Sequence, residues 1–195
     1  MRRAFATILG GLTLAGGVSA PAEAGDPAAG RQVAGMCRTC HGIDGHAVVP
    51  IAPHIGGEPA EYLEAQLMAF KTGRREHEMM SVVAAGLSAQ QISDVAAWYA
   101  GHSAHASLPE GVSEGDAPQA CVSCHGADGI SLLLDAPNLA GETNIYIDTQ
   151  LKAFKRGQRT HAIMSEVAAG LSDEEIRKIA DWYAAITLEI DAPAE

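Results

Sequence analysis

The residues from Cys37 to His41 have the pattern Cys-x-x-Cys-His, and the same pattern returns from Cys121 to His125, 84 positions later. This pattern is the attachment signature of c-type haem. Its spacing follows from the chemistry. Two thiols must reach the two vinyl groups of one porphyrin, and the next residue must place an imidazole under the iron. Two copies therefore predict two covalent haems, and they use all four cysteines of the chain.

Two other uses of these cysteines compete with this interpretation. Two Cys-x-x-Cys pairs can form a four-thiolate zinc site, and four cysteines in an exported protein can form two disulfides. Neither explains why a histidine follows both pairs, so we predict two covalently bound haem c groups as the cofactors. The expected thioether residues are Cys37, Cys40, Cys121 and Cys124, and the expected histidine ligands of the iron are His41 and His125.

The N-terminus indicates export. Two basic residues precede an apolar run from Ala4 to Val18, and small residues follow. This order is typical of a secretory signal peptide. The site Ala22–Ala24 is of the A-x-A type, so we predict cleavage after Ala24. An apolar run of about 15 residues is shorter than the ~20 that a membrane-spanning helix needs, which disfavours a retained anchor. Export suits haem c chemistry and predicts a periplasmic location.

The chain is acidic, with 24 acidic and 13 basic residues and a formal charge of −11. Cleavage after Ala24 would remove Arg2, Arg3 and Glu23, which makes the charge −12. Such a protein repels nucleic acid and anionic lipid surfaces. We therefore expect no nucleic-acid partner, and membrane contact only through partner complexes. Its field should favour basic faces on redox partners, in a salt-dependent way.

The rest of the chain is a tandem repeat. Residues 37–99 align with residues 121–183 without a gap, and about half of the positions are identical. Two copies are too few for a solenoid, so each copy is better interpreted as a small domain around its own haem. The recurring residues outside the haem motif include Gly57 and Glu58, Tyr62, Gln66 and Leu67, Phe70 and Lys71, and Trp98 and Tyr99.

Each copy is predicted to be mostly helical. Asp26 can cap a short helix that leads to Cys37. A second helix is expected from about Ala60 to Lys71, with its apolar residues on one stripe. A third begins at Ser88, where a glutamine three residues later completes a capping box, as a glutamate does after Ser172. Pro118 predicts a short or absent helix before Cys121. No alternating pattern of useful length predicts a strand.

The sixth iron ligand is predicted from the repeat. Met80 aligns with Met164 at the spacing of 84. A thioether ligand favours Fe(II) and raises the reduction potential. It also fills the last coordination position, which favours electron transfer over catalysis. Two alternatives stay open. The methionines can be ordinary core residues, or the ligand can be a histidine, because His77 aligns with His161.

These motifs together resemble the dihaem cytochrome c4 group. The resemblance covers about residues 26–186. It implies class I cytochrome c domains related by a pseudo-twofold axis, with haem propionates near the interface, and a periplasmic carrier that passes electrons towards a terminal oxidase. Carried over residue by residue, Cys37, Cys40, His41 and Met80 serve the first haem, and Cys121, Cys124, His125 and Met164 serve the second.

The resemblance predicts an all-α fold of two tandem class I cytochrome c domains, each wrapped around one covalent haem c. We predict a signal peptide at 1–24, a first domain at 25–100, a linker at 101–116, a second domain at 117–187 and a C-terminal tail at 188–195. The segment from Gly101 to Ala120 is rich in proline and glycine. It is shorter than the helix-containing segment that usually precedes the second haem motif in this group.

The short linker keeps a second hypothesis open, a dihaem subunit of a periplasmic dehydrogenase such as flavocytochrome c sulfide dehydrogenase. A third, a dihaem peroxidase, needs an open iron site, and the two matched methionines argue against it. The expected partners are therefore redox proteins: an oxidase, a cytochrome bc1-type complex or a periplasmic dehydrogenase.

Other repeated residues can be interpreted either as functional residues near the haem or as ordinary structural residues. By resemblance, the carbonyl groups of Pro53 and Pro137 accept the Nδ1–H of the haem histidines, although a role in turns alone is also possible. The hydroxyls of Tyr62 and Tyr146 can meet a propionate or water. A basic cluster can neutralise propionates, guide a partner, or form a solvated helix face. Its members are Lys71, Arg74 and Arg75, with Lys152, Lys155, Arg156 and Arg159 in the second copy.

Overall fold

The computed structural model describes residues 24–193, so the predicted signal peptide lies outside the described residues except for Ala24. The fold is mainly helical, as predicted. The helices are α1 (Pro27–Ala34), α2 (Arg38–His41), α3 (Ala60–Lys71), α4 (Met80–Ala85), α5 (Ala89–Ala100), α6 (Gln119–His125), α7 (Asn144–Lys155), α8 (Met164–Ala169) and α9 (Asp173–Ala184). The strands are β1 (Ser103–Ser107) and β2 (Thr187–Asp191).

The first domain is built by the crossing of α1 and α5. The side chain of Asp26 accepts the Ala28 N–H at the start of α1, as predicted. Gly30 lies so close to the Asp94 carbonyl of α5 that a Cβ there would collide with it, hence glycine permits this crossing. Ser88 and Gln91 form the predicted capping box of α5. The buried core consists of Val33, Ala34, Leu63, Leu87, Ile92, Val95, Ala96 and Tyr99.

The second domain repeats α3, α4 and α5 as α7, α8 and α9. Helix α6 starts directly after Pro118 and has seven residues, which confirms the predicted short helix before Cys121. Ala106 and Leu108 of the linker pack against the second core, together with Leu188. The linker therefore takes part in the hydrophobic packing of this domain.

The prediction of no strand is wrong for the linker and for the tail. β1 lies within the predicted linker (101–116), and β2 runs into the predicted tail (188–195). They pair antiparallel, with Ser103 opposite Asp191 and Ser107 opposite Thr187. Each has five residues with alternating exposure. Each of these short strands is regular only because it pairs with the other, and the paired residues lie 80 or more positions apart in the chain.

Candidate haem sites and the interface between them

The two haem motifs adopt the same local structure. Each lies in a short helix that ends at the histidine, four residues long in α2 and seven in α6, and a glycine with positive φ follows it. In the first copy, the backbone N–H of His41 donates to the Cys37 carbonyl at 3.0 Å. The helical turn thus presents both cysteines and the histidine within one short segment, as attachment to one porphyrin requires.

Both histidines are buried and held by a proline carbonyl. His41 Nδ1 lies 2.9 Å from the Pro53 oxygen, and His125 Nδ1 lies 2.8 Å from the Pro137 oxygen. A carbonyl can only accept, so Nδ1 carries the proton and Nε2 is left to bind iron. Burial lowers the pKa of both imidazoles, against the opposing effect of these hydrogen bonds, which favours the neutral ligating form. The structure thus gives Pro53 and Pro137 the role that the resemblance implied.

The aligned methionines begin equivalent helices. Met80 starts α4 and Met164 starts α8, and both side chains are half-buried. The preceding residues, Met79 and Ile163, are 60% and 53% exposed. His77 is exposed, and its Nδ1 accepts the Met80 N–H at 3.3 Å, a helix-capping contact that recurs in the second copy. This capping role favours methionine over histidine as the candidate sixth ligand.

The zinc and disulfide alternatives lack supporting geometry. No two of the four cysteines are joined as a disulfide. Within residues 24–193, no group of three or more His, Cys, Asp or Glu side chains is arranged to hold a metal ion. Burial raises the pKa of the Cys37 and Cys121 thiols, which disfavours the thiolate form that a zinc site needs.

The surroundings of the motifs fit a large apolar group. Several large apolar side chains between each motif and its methionine helix are more than half exposed, as expected of residues that need an apolar partner. They are Val48 and Ile51 in the first copy, and Leu132 and Leu134 in the second. A porphyrin ring is such a partner, so the residues present fit haem c.

The loop after each motif accepts hydrogen bonds from aromatic side chains on the last helix of its domain. Tyr99 donates to the Gly42 carbonyl and Tyr183 to the Gly126 carbonyl, both at 3.2 Å. The Trp98 indole donates to the Ile43 carbonyl at 3.0 Å. The repeated aromatic pairs therefore fix the haem loops on α5 and α9.

A reciprocal pair of side chains joins the two domains beside the prolines. His54 Nδ1 accepts the Ala47 N–H at 2.9 Å, so Nε2 carries the proton and donates to the Gly141 carbonyl at 3.2 Å. Asn138, its equivalent in the second copy, accepts the Ser131 N–H and donates to the Gly57 carbonyl at 3.0 Å. The exchanged contacts are those of a pseudo-twofold axis, as the resemblance implied.

Two repeated glutamates are buried in the same interface. Glu58 is 4% exposed and Glu142 is 3% exposed. Glu58 Oε2 accepts the Asn138 backbone N–H at 2.9 Å. The backbone N–H of His54 faces the Glu142 carboxyl group and acts to lower its pKa, against the larger effect of burial. Among residues 24–193, Glu142 Oε2 meets no hydrogen-bond partner. Burial raises the pKa of Glu58 to about 8, and burial with the neighbouring Glu58 raises the pKa of Glu142 well above its usual range.

Two repeated arginines complete the interface. Arg75 donates to Gln66 of its own domain at 2.7 Å, and to Gln150 and Tyr146 of the other at 2.8 and 3.3 Å. Arg159 mirrors these contacts: it donates to Gln150 at 2.9 Å, to Gln66 at 2.9 Å and to Tyr62 at 3.3 Å. The solvated-face interpretation is therefore wrong for these two arginines. The two tyrosine hydroxyls meet arginines of the opposite domain.

The identical polar residues of the repeat were the available signal for this interface. Across a twofold axis each contact occurs twice with the partners exchanged, so both copies need both residues. In the sequence these residues suggested contacts to haem or solvent, because periodicity carries no information about how two domains dock.

Comparison with known proteins agrees with this geometry. The family described as "Cytochrome c" matches residues 27–101, and the family described as "Cytochrome C oxidase, cbb3-type, subunit III" matches residues 114–182. Cytochrome c4 of Pseudomonas aeruginosa is 32% identical over 176 residues, covering 82% of this chain and 88% of that protein. Cytochrome c4 of Thiocapsa roseopersicina is 35% identical over 182 residues, covering 84% and 94%.

The chain belongs to the cytochrome c4 family. Membership confirms two cytochrome c domains with two covalent haem c groups, and a function in electron transfer. The solved structure of reduced recombinant cytochrome c4 from Pseudomonas stutzeri superimposes with a TM-score of 0.72 at 29% identity, covering 84% of this chain and all of that one.

Two further similarities are to proteins named after thiosulfate dehydrogenase. The thiosulfate dehydrogenase electron acceptor of Thiomonas intermedia is 32% identical, covering 78% of this chain and 79% of that protein. Thiosulfate dehydrogenase from Marichromatium purpuratum gives a TM-score of 0.70 at 29% identity, covering 83% of this chain and 40% of that one. Between residues 24 and 193, none of the helices combines the length and apolar character needed to cross a bilayer.

Proposed function

We propose that this cytochrome c4 is a periplasmic carrier whose domains each hold one haem between a histidine and a methionine. The proposed ligands are His41 and Met80 in the first domain, and His125 and Met164 in the second. The main support for this proposal is that both histidines are buried and that the Nδ1–H of each donates a hydrogen bond to a proline carbonyl. The proposed thioether bonds are to Cys37 and Cys40, and to Cys121 and Cys124.

Such sites would support electron transfer, because a histidine and a methionine of the chain would hold the iron and leave no position open for a substrate. When bound, the haem supplies a one-electron couple, and soft thioether ligation favours its reduced form. The chain's own residues orient the histidine and hold the loop after each motif. No bond of a substrate needs to be made or broken, so the protein takes and gives one electron per haem.

Respiratory partners are favoured by the charge of the chain. A formal charge of −11 steers the carrier towards basic surfaces. The electron acceptor in this proposal is a terminal oxidase. The donor is a cytochrome bc1-type complex or a periplasmic dehydrogenase.

A second candidate function is supported by the relatives named after thiosulfate dehydrogenase. In this version the protein accepts electrons directly from a periplasmic dehydrogenase and belongs to its complex. Purification of the exported holo-protein from its native source separates the two candidates. A free monomer supports the diffusing carrier, whereas a stable complex with a dehydrogenase supports the subunit.

The ligand assignment is tested by the sulfur-to-iron charge-transfer band of the oxidised protein. Met80→Ala and Met164→Ala should each remove the part of the band that belongs to one haem. Met79→Ala is the matched control, because Met79 is 60% exposed and should leave the band unchanged. Spectra of bis-histidine haems in the unmodified protein would contradict the proposal.

A further inference from the structure

The peptide groups behind the haem histidines also contact the opposite domain. The Pro53 carbonyl and the His54 N–H are the two ends of one planar peptide group. Its oxygen accepts from His41, and its N–H faces the carboxyl group of Glu142, whose pKa it acts to lower. One rigid group therefore joins the haem ligand of the first domain to a buried acid of the second.

The second domain contains the mirror image of this chain of contacts. The Pro137 carbonyl accepts from His125 at 2.8 Å, and the Asn138 N–H of the same peptide group donates to Glu58 Oε2 at 2.9 Å. Each glutamate thus reaches, through one peptide group, the haem histidine of the other domain. The contacts cross between the domains. Glu142 faces the peptide group that binds His41, and Glu58 binds the peptide group that binds His125.

A charge at one end of such a chain is felt at the other. Resonance makes the peptide group polarisable, and successive hydrogen bonds in a low-dielectric interior strengthen one another. An ionised carboxylate at the N–H increases the electron density on the carbonyl oxygen. That oxygen then binds the Nδ1–H more strongly, which makes the imidazole a more basic ligand and favours Fe(III). A protonated carboxyl group has the weaker effect.

We propose that Glu58 and Glu142 are positioning residues that set, crosswise, the reduction equilibrium of the haem in the opposite domain. When that haem gains an electron from a redox protein, the glutamate takes one proton from solvent. Its carboxylate becomes a carboxylic acid, and no other bond changes. This inference rests on the histidine ligation of the proposed function.

Two other titratable groups of this interface, Tyr62 and His54, stay in one state while the glutamates titrate. Burial raises the pKa of Tyr62 to about 12, so its hydroxyl remains protonated. Burial lowers the pKa of His54 to about 4, so its ring remains neutral. Arg75 and Arg159 donate to Tyr146 and Tyr62 and are always charged. Glu58 is therefore the group whose charge changes around pH 8, while the pKa of Glu142 lies well above its usual range.

The experiment follows the reduction equilibrium of each haem separately in the full holo-protein, from pH 6 to pH 9.5. Haem methyl NMR signals distinguish the two haems during a redox titration. In the unmodified protein both haems should become harder to reduce as pH rises. The limit is a tenfold change per pH unit for one proton per electron, or about 59 mV for a one-electron couple.

Glutamine mimics the protonated carboxyl group and retains an acceptor oxygen, so the variants should keep the fold. Glu58→Gln should remove the pH dependence of the second haem. The first haem should keep its dependence, with a midpoint at lower pH because Glu142 loses a neighbouring charge. Glu142→Gln should give the reverse pattern. Glu61→Gln is the matched control, an exposed glutamate three positions away whose loss should change neither haem.

Two outcomes overturn the inference while the His/Met charge-transfer band remains intact. One is that each glutamine variant alters the haem of its own domain. The other is that both haems keep the pH dependence of the unmodified protein. A second readout is the Asn138 amide proton in the reduced protein. It should shift with the Glu58 titration, and this shift should be absent in Glu58→Gln. Loss of the charge-transfer band itself would instead contradict the proposed function.

Discussion

Arg75 of the first domain donates to Oε1 of Gln150 in the second domain at 2.8 Å. The equivalent contact from Arg159 to Gln66 is 2.9 Å long, so the two repeats hold each other by the same residues. Each guanidinium also lies 4.5 Å from the ring of the phenylalanine on the helix before it. Domain docking in this protein therefore depends on residues that the tandem repeat keeps in both copies.

Arg75→Leu should weaken this docking. Leucine keeps apolar contact with Phe70 but removes the donors, and a hydrogen bond from a charged group contributes about 1.5–3 kcal/mol. We expect a loss of that size in unfolding free energy, with faster hydrogen exchange of the interfacial Asn138 amide. Arg74→Leu is the control, because Arg74 is exposed and contacts Thr72 of its own loop. Equal effects of the two variants would contradict this role.

Gly57→Ala should cost more stability than Gly73→Ala. Both glycines have φ near +73°, where a side chain costs about 1–2 kcal/mol. A Cβ on Gly57 would also press on Ala104 of β1, whereas nothing lies within 4 Å of a Cβ on Gly73. Urea unfolding of both variants isolates the contact between the first domain and the strand. Equal losses of stability in the two variants would show that the hairpin-like pair of β1 and β2 does not pack on Gly57 as described.

The Glu58 carboxyl should make the protein lose stability as pH rises. Its pKa is about 8 in the folded protein and about 4.5 when unfolded. The folded state therefore keeps a proton that the unfolded state has lost. This stabilisation is complete below pH 4.5 and declines as pH rises towards 8. In urea unfolding between pH 6 and 9, Glu58→Gln should flatten the decline, and Glu61→Gln should not. A decline unchanged in Glu58→Gln would rule out this source.

His54 should have the opposite effect on the acid side. Burial lowers its pKa from 6.5 to about 4, so the folded state favours the neutral ring. That stabilisation is present above pH 6.5 and is lost as pH falls towards 4. His54→Asn should remove this acid loss and keep the docking, because Asn138 makes the same two contacts in the second domain. His54→Ala should weaken docking at every pH. Retention of the full acid loss in His54→Asn would contradict the assignment.

The sequence was most informative where its pattern was local or repeated. The helix from Ala60 to Lys71 was predicted with the bounds that the structure shows, because its stripe and its flanking residues agree. The register of 84 placed Met80 and Met164 at equivalent helix starts. Capping boxes depend on residues three positions apart, and those predictions were confirmed as well.

The sequence was least informative where distant segments meet. The ribbon of β1 and β2 joins five-residue segments that have little strand character until they pair. The interface of Glu58, Tyr62 and Arg75 with their equivalents was visible only as identity between repeats. These residues could face haem, solvent or the other domain. Only the tertiary structure distinguishes these cases, because it shows which side chains are buried between the two domains.

The central claim is that this chain carries two electrons, one on each protein-ligated haem. A coulometric redox titration of the exported holo-protein tests it most directly, with carbon monoxide added to the reduced form. We expect two one-electron steps per chain and no rapid binding of carbon monoxide, because the proposed ligands Met80 and Met164 would fill the sixth positions. One electron per chain, or immediate binding of carbon monoxide to either reduced haem, would contradict the claim.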